Sequence, residues 1–112
     1  MSEISPNQVL WALAMRKGEA NGIHARDLVR EICGETSPGL ERQLRSVIEE
    51  LRMKGQHICG KPKSGYFIAA TEIELKSTTD FLRDRGFTSL AQAAAMLKVS
   101  MPDLLGQMRL PT

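Results

Sequence analysis

The sequence predicts a mainly α-helical fold carrying one small β-hairpin and followed by a C-terminal helical extension. Three observations predict it. Apolar residues recur at helical spacing through most of the chain. A Ser-Pro pair, the usual N-cap and first helical residue, occurs at Ser5-Pro6 and again at Ser37-Pro38. One stretch, residues 57–68, gathers β-branched and aromatic residues on both sides of a Pro/Gly-bearing turn. The chain has 112 residues, 42% hydrophobic and 25% charged. That is room for one domain, or a small domain with an appendage, and a composition that folds on its own core.

Helix one is expected over residues 6–17. Ser5 caps it, Gln8 completes a capping box, and Val9, Leu10, Leu13 and Ala14 form its apolar face. Trp11 flanks that face and is expected in the core or as a cover for helix four. Gly18 and the pair Asn21-Gly22 mark the turn that follows. Ile23 is a lone β-branched residue, too short for a strand unless it adds to another sheet. His24 stands at the start of helix two, where it is expected as a capping or surface residue. Ala25, Leu28, Val29 and Ile32 then carry helix two over about 25–33, and Gly34 stops it.

Helix three starts at Ser37-Pro38 and is expected to be the longest. Leu40, Leu44, Val47, Ile48 and Leu51 make a continuous apolar stripe, while Glu41, Arg42, Arg45, Glu49 and Arg52 fall away from it. Gly55 ends it. His57-Ile58-Cys59 and Tyr66-Phe67-Ile68 read as two short strands joined by the turn Gly60 to Gly65, with Lys61 and Lys63 at a basic tip. Tyr66 and Phe67 alternate, so one faces the core and the other the surface. Thr71 and Glu74 signal a capping box for a fourth helix over about 72–85 that Gly86 terminates. A fifth helix runs from near Ser89 to Lys98, and Ser100 with Asp103 marks a last short one.

The charge is uneven. Residues 1–36 hold four basic and five acidic side chains, residues 37–66 six and three, and residues 67–112 five and five. The middle third, containing helix three and the hairpin, is therefore the basic one at net +3. A net charge of +2 for the whole chain does not by itself imply nucleic acid.

Residues 23–68 resemble the winged helix-turn-helix domains at the N-terminus of biotin-operon repressors and related bacterial and prophage regulators. The residues that carry the likeness are IHARDLVREICG for the second helix, LRSVIEELRMKG for the end of the third, and ICGKPKSGYFIA for the wing. Between Ile32 and Leu44 the sequence holds several more residues than those compact regulators, so the turn or the third helix is longer. The resemblance implies a winged helix-turn-helix over residues 1–70 and a C-terminal extension over 71–112 that packs on it or pairs two copies. The stretch TSLAQAAAMLKVSMPDLLGQM also faintly resembles a second helix-turn-helix.

The resemblance further implies that helix three enters the major groove of double-stranded DNA and that its exposed N-terminal side chains meet base edges. These are Glu41, Arg42, Gln43, Arg45 and Ser46. Either arginine suits guanine and Gln43 suits adenine, with roughly 1–3 kcal/mol of discrimination for a well-formed bidentate pair. Glu41 is repelled by phosphates unless it accepts from cytosine or orients a neighbouring arginine, so it opposes indiscriminate binding. Ser37 and the free amides at the helix start suit a phosphate oxygen, and Lys61, Lys63 and Ser64 suit the DNA backbone or the minor groove. The competing readings are a solvated helix face with pairs such as Arg45 and Glu49, and lysines that merely keep a hairpin edge unpaired.

The functional expectation is a sequence-preferring DNA-binding protein, a small bacterial or prophage transcription regulator acting as a dimer. The alternative is a winged-helix adaptor for a protein partner in a replication or recombination assembly. No catalytic motif is present, so no enzyme and no cofactor are expected. Cys33 and Cys59 lack any CxxC spacing and read as reduced core thiols. With His24 and His57 they complete no familiar zinc pattern. The longest apolar run, Val9 to Met15, is far short of the roughly 20 residues a membrane span needs. The N-terminus MSEISPNQ shows no secretory signal, so the cytoplasm is the expected location.

Overall fold

A computed structural model of the chain describes residues 3–97. In chain order it contains α1 (Pro6–Leu13), a 3-10 turn (Glu19–Asn21), α2 (Ala25–Cys33), α3 (Pro38–Met53), β1 (Ile58–Lys61), β2 (Gly65–Ile68) and α4 (Glu72–Leu97). The fold is mainly helical with a small two-stranded antiparallel hairpin. Two compact units can be distinguished, Met1–Thr78 and Thr79–Thr112.

Local sequence explains the helix starts. Ser5 accepts the Gln8 amide and the Gln8 side chain accepts the Ser5 amide, a reciprocal capping box ahead of Pro6. Ser37 accepts the Leu40 amide at 3.1 Å ahead of Pro38. Gly34 closes α2 in the left-handed conformation.

In the first unit, α1, α2 and α3 pack pairwise on one another, and the hairpin closes on α1 through β2 and on α3 through β1. Val9 and Leu13 from α1, Leu28 and Val29 from α2, and Leu44, Ile48 and Leu51 from α3 meet Ile23 and Ile58 in one core, with Ile4 and the partly buried Tyr66 at its edge. The alternation along β2 sends its two aromatic side chains to opposite faces, but neither is exposed: the half-buried Tyr66 packs against this core, and Phe67 is fully buried on the other face.

The strands pair with Ile58 opposite Ile68, Cys59 opposite Phe67, Gly60 opposite Tyr66 and Lys61 opposite Gly65. On its other edge β2 meets the chain between α1 and α2. Ile23 exchanges both backbone hydrogen bonds with Tyr66, at 2.7 and 2.9 Å. Ile68 donates to Arg16 and Gly18 donates to Ile68, both at 2.8 Å. Ile23 therefore adds to the hairpin, the condition under which its sequence suits an extended conformation. This close approach requires two glycines. A Cβ at Gly22 would overlap the Ser64 carbonyl, and one at Gly65, whose φ is +80°, would overlap that of Ile23.

Four expectations need correction. Helix one was expected to reach residue 17 but ends at Leu13, because the backbone of Arg16 and Gly18 is taken up by Ile68. The helices expected over about 72–85 and from Ser89 are one helix, α4, and Gly86 sits inside it instead of ending it. Glycine costs a helix interior about 1 kcal/mol, which its neighbours outweigh here. Trp11 is 84% exposed, so it is neither a core residue nor a cover. Cys59 is buried but Cys33 only partly so, and both thiols are free. The short helix expected at Ser100 and Asp103, and the whole second half of the faint helix-turn-helix, lie outside the described residues.

Candidate nucleic-acid interface

The orientation of α3 follows from its core face. Leu44, Ile48 and Leu51 point inward. At 100° per residue this sends Arg42 and Ser46 to the opposite face and Arg45 to the flank that also carries Arg52. Arg42, Gln43, Arg45 and Ser46 are exposed. Neither Arg42 nor Arg45 forms an ion pair among the described residues, so Arg45 and Glu49 are not paired. The exposed charges Arg42, Arg45, Glu49 and Glu50 balance. The helix alone therefore presents discrete donors and no broad positive field.

Three of the predicted residues on α3 and at its cap are engaged within the protein. The Ser37 hydroxyl caps α3. The half-buried Glu41 accepts from the Thr36 hydroxyl at 3.3 Å. Gln43 lies on the other flank of α3, where its Oε1 accepts the Ile4 amide at 3.3 Å. Beside it a cleft of about 750 Å³ runs between the N-terminal segment at Glu3 and the α3 residues Arg42, Gln43 and Ser46.

Arg52 connects the other flank to the hairpin. Its Nε donates to the Ile58 carbonyl at 2.8 Å, and its guanidinium lies 6.0 Å from the centroid of the Tyr66 ring. Arg45 stands two helical turns before Arg52 on that same flank. The structure thus brings Arg45, Arg52 and the root of the hairpin to one side of α3, and Gln43 to the other.

At the hairpin tip the Ser64 hydroxyl donates to Glu19 Oε2 at 2.6 Å and Lys61 Nζ lies 3.4 Å from Glu19 Oε1. Lys63 is exposed. The Ser64 hydrogen bond, aided by the positive charges of Lys61 and Lys63, holds the Glu19 carboxyl below the usual glutamate range against the opposing effect of desolvation. The Glu19 backbone is itself fixed, since its N–H donates to Glu74 Oε2 at 3.0 Å while Ala70 N–H donates to Glu74 Oε1 at 2.8 Å. Those two amides lower the Glu74 carboxyl as well. From the sequence Glu19 carries no expectation, and Arg52 only that of a residue off the apolar stripe of α3. Nothing near Glu19 signals a partner that lies 45 positions further along the chain.

Other chemistry finds less structure. His24 occupies the N-cap of α2 without a side-chain capping bond. Burial pushes the Cys59 thiol up, so it stays protonated at neutral pH, and it donates to the Glu74 carbonyl at 3.6 Å. Among the described residues no three His, Cys, Asp or Glu side chains are grouped to hold a metal ion, and no helix is long and apolar enough to cross a membrane. No known protein family, curated protein or solved structure matches the chain.

Proposed function

We propose that the protein binds double-stranded DNA with a sequence preference, as a winged helix-turn-helix regulator in the cytoplasm of a bacterium or on behalf of a prophage. In this reading α3 lies in the major groove and the hairpin is the wing. The observation that carries it is the pair of exposed arginines on α3 that form no ion pair among the described residues, with Arg45 on the flank that Arg52 fastens to the hairpin and its lysine-bearing tip. Arg42 and Arg45 read bases, Ser46 meets base edges one turn after Arg42, and Lys61, Lys63 and Ser64 meet the sugar-phosphate backbone. Ser37 presents the capped amide end of α3 to a phosphate, and Glu41 discourages unselective contact. Gln43 reads adenine only if it gives up Ile4. Two copies pairing through their C-terminal helices would place two such heads on adjacent half-sites. The role is one of binding, with neither catalysis nor a cofactor.

A different observation favours a second reading, a protein-binding adaptor. Trp11 on α1 and Met15 just beyond its end are 84% and 87% exposed, apolar side chains better suited to a protein partner than to DNA.

Selection from a random duplex pool separates the two. The DNA reading expects an enriched motif in which Arg45→Ala relaxes one position, at a cost of about 1–3 kcal/mol for the preferred base. If Arg42→Ala and Arg45→Ala together leave affinity and motif untouched, α3 is not in the groove. If no duplex binds at any salt concentration, the adaptor reading takes its place.

A further inference from the structure

We infer that in the free protein the Glu19 carboxylate occupies a site on the hairpin tip suited to a phosphodiester oxygen, and that a nucleic-acid backbone binds there by displacing it. The inference rests on the DNA reading and adds to it an internal competitor.

A hydroxyl and an ammonium converge on one anion: Ser64 Oγ at 2.6 Å and Lys61 Nζ at 3.4 Å, on separate oxygens of the same carboxylate. Serine hydroxyls and lysine ammoniums are among the donors that proteins direct at phosphate oxygens. The charge of Lys63 reaches the same spot. The side chains of Lys61 and Glu19 remain 36% and 37% exposed, so a ligand has access from solvent and the ion pair that it must replace is weak.

The surroundings hold the site open without help from the carboxylate. The strand behind Ser64 is anchored by the two backbone bonds between Tyr66 and Ile23 and by those joining Ile68 to Arg16 and Gly18. Glu19 is anchored by its own N–H, which donates to Glu74. Removing the negative charge at Glu19 therefore leaves the path of the hairpin in place and frees Lys61 and Ser64 for an external anion. In the native protein the same carboxylate raises the threshold for unselective backbone binding.

The test compares the full chain with Glu19→Gln, both checked for folding by thermal melting. In a titration of mixed-sequence duplex, Glu19→Gln is expected to bind roughly two- to fivefold tighter, the factor that corresponds to an exposed ion pair. The slope of log affinity against log salt should steepen by about 1. Adding Lys61→Gln should cancel the gain. Where the native protein binds duplex, a folded Glu19→Gln protein that binds no tighter, or a gain that survives Lys61→Gln, overturns the inference. A second arm uses inorganic phosphate and follows the backbone amides of Gly60 to Gly65 by NMR. Saturable shifts in Glu19→Gln that are weaker in the native protein support the site, and their absence contradicts it. This arm decides the matter even if neither protein binds duplex, an outcome that would remove the DNA reading alone.

Discussion

In the first compact unit α2 and α3 each bury one face against other elements, whereas α4 beyond Thr78 leaves Phe81, Leu82, Phe87, Met96 and Leu97 at 40–84% exposure. Among the described residues, twelve of the thirteen buried apolar side chains belong to the first unit, and Ala94 is the other. Helicity therefore has different origins in the two stretches. In α2 and α3 it is enforced by packing. In residues 79–97 it rests on strong helix formers, such as the run Ala93-Ala94-Ala95, and on local pairs such as Arg83 with Asp80 at 2.9 Å.

The apolar residues of α4 also change face along its length. Leu75, Thr78 and Leu82 share one stripe, and Phe87, Leu90, Ala94 and Leu97 share another. The step of five residues from Leu82 to Phe87 turns Phe87 roughly 140° from Leu82 about the helix axis. The framework that positions the candidate interface is thus the first unit, and α4 contributes to it through its first turn, where Glu74 holds the Glu19 backbone.

The sharpest way to break this contrast is a matched pair of truncations. Phe67→Ala, at a fully buried site, should lower the unfolding free energy by about 3–5 kcal/mol in urea denaturation. Phe87→Ala, at a half-exposed one, should cost less than about 1 kcal/mol. Equal costs would mean that α4 is as integral to the fold as β2. Gly65→Ala comes next, since it places a side chain at positive φ and against the Ile23 carbonyl. A loss of about 1–3 kcal/mol is expected, and an unchanged melting temperature would show that β2 does not need its close approach to Ile23. Gly86→Ala tests the other stretch. With no atom near its added Cβ, it should stabilise the helix by up to about 1 kcal/mol, read as greater amide protection over residues 80–97. Loss of protection there would show that a break at Gly86 matters.

The smallest effect concerns acid. Glu19 and Glu74 both have folded-state values below the ordinary one. Their contribution is therefore complete above the usual glutamate range, near about pH 4.3, and is lost as pH falls below it through the depressed folded-state values. The melting temperature of the native protein should drop more steeply below that range than that of Glu74→Gln. Parallel curves would remove the carboxylate from the account.

Much of the first unit was legible because its signals are local. Capping at Ser5 and Ser37, the stripe of α3 and the alternation at Tyr66-Phe67 each follow from neighbours within a few residues. The end of α1 was not, because Arg16 and Gly18 are recruited by Ile68, far along the chain. The reading of α4 as two helices registered something physical, the change of apolar face at Gly86, and missed that the backbone continues through it. At the candidate interface the residue types of α3 and the hairpin were legible, but their commitments were not. Gln43 bonds to Ile4, and Lys61 and Ser64 meet at Glu19, all across distances in sequence that carry no local pattern.

In the proposed function the arginine-bearing face of α3 and the lysine-bearing hairpin engage a DNA duplex. The most direct test measures duplex affinity as a function of salt for the native chain and for Lys63→Ala. The account predicts a linear fall of log affinity with log salt, and a slope shallower by about 1 once Lys63 is removed. Binding that ignores salt, or no binding to duplex at low salt, would contradict it.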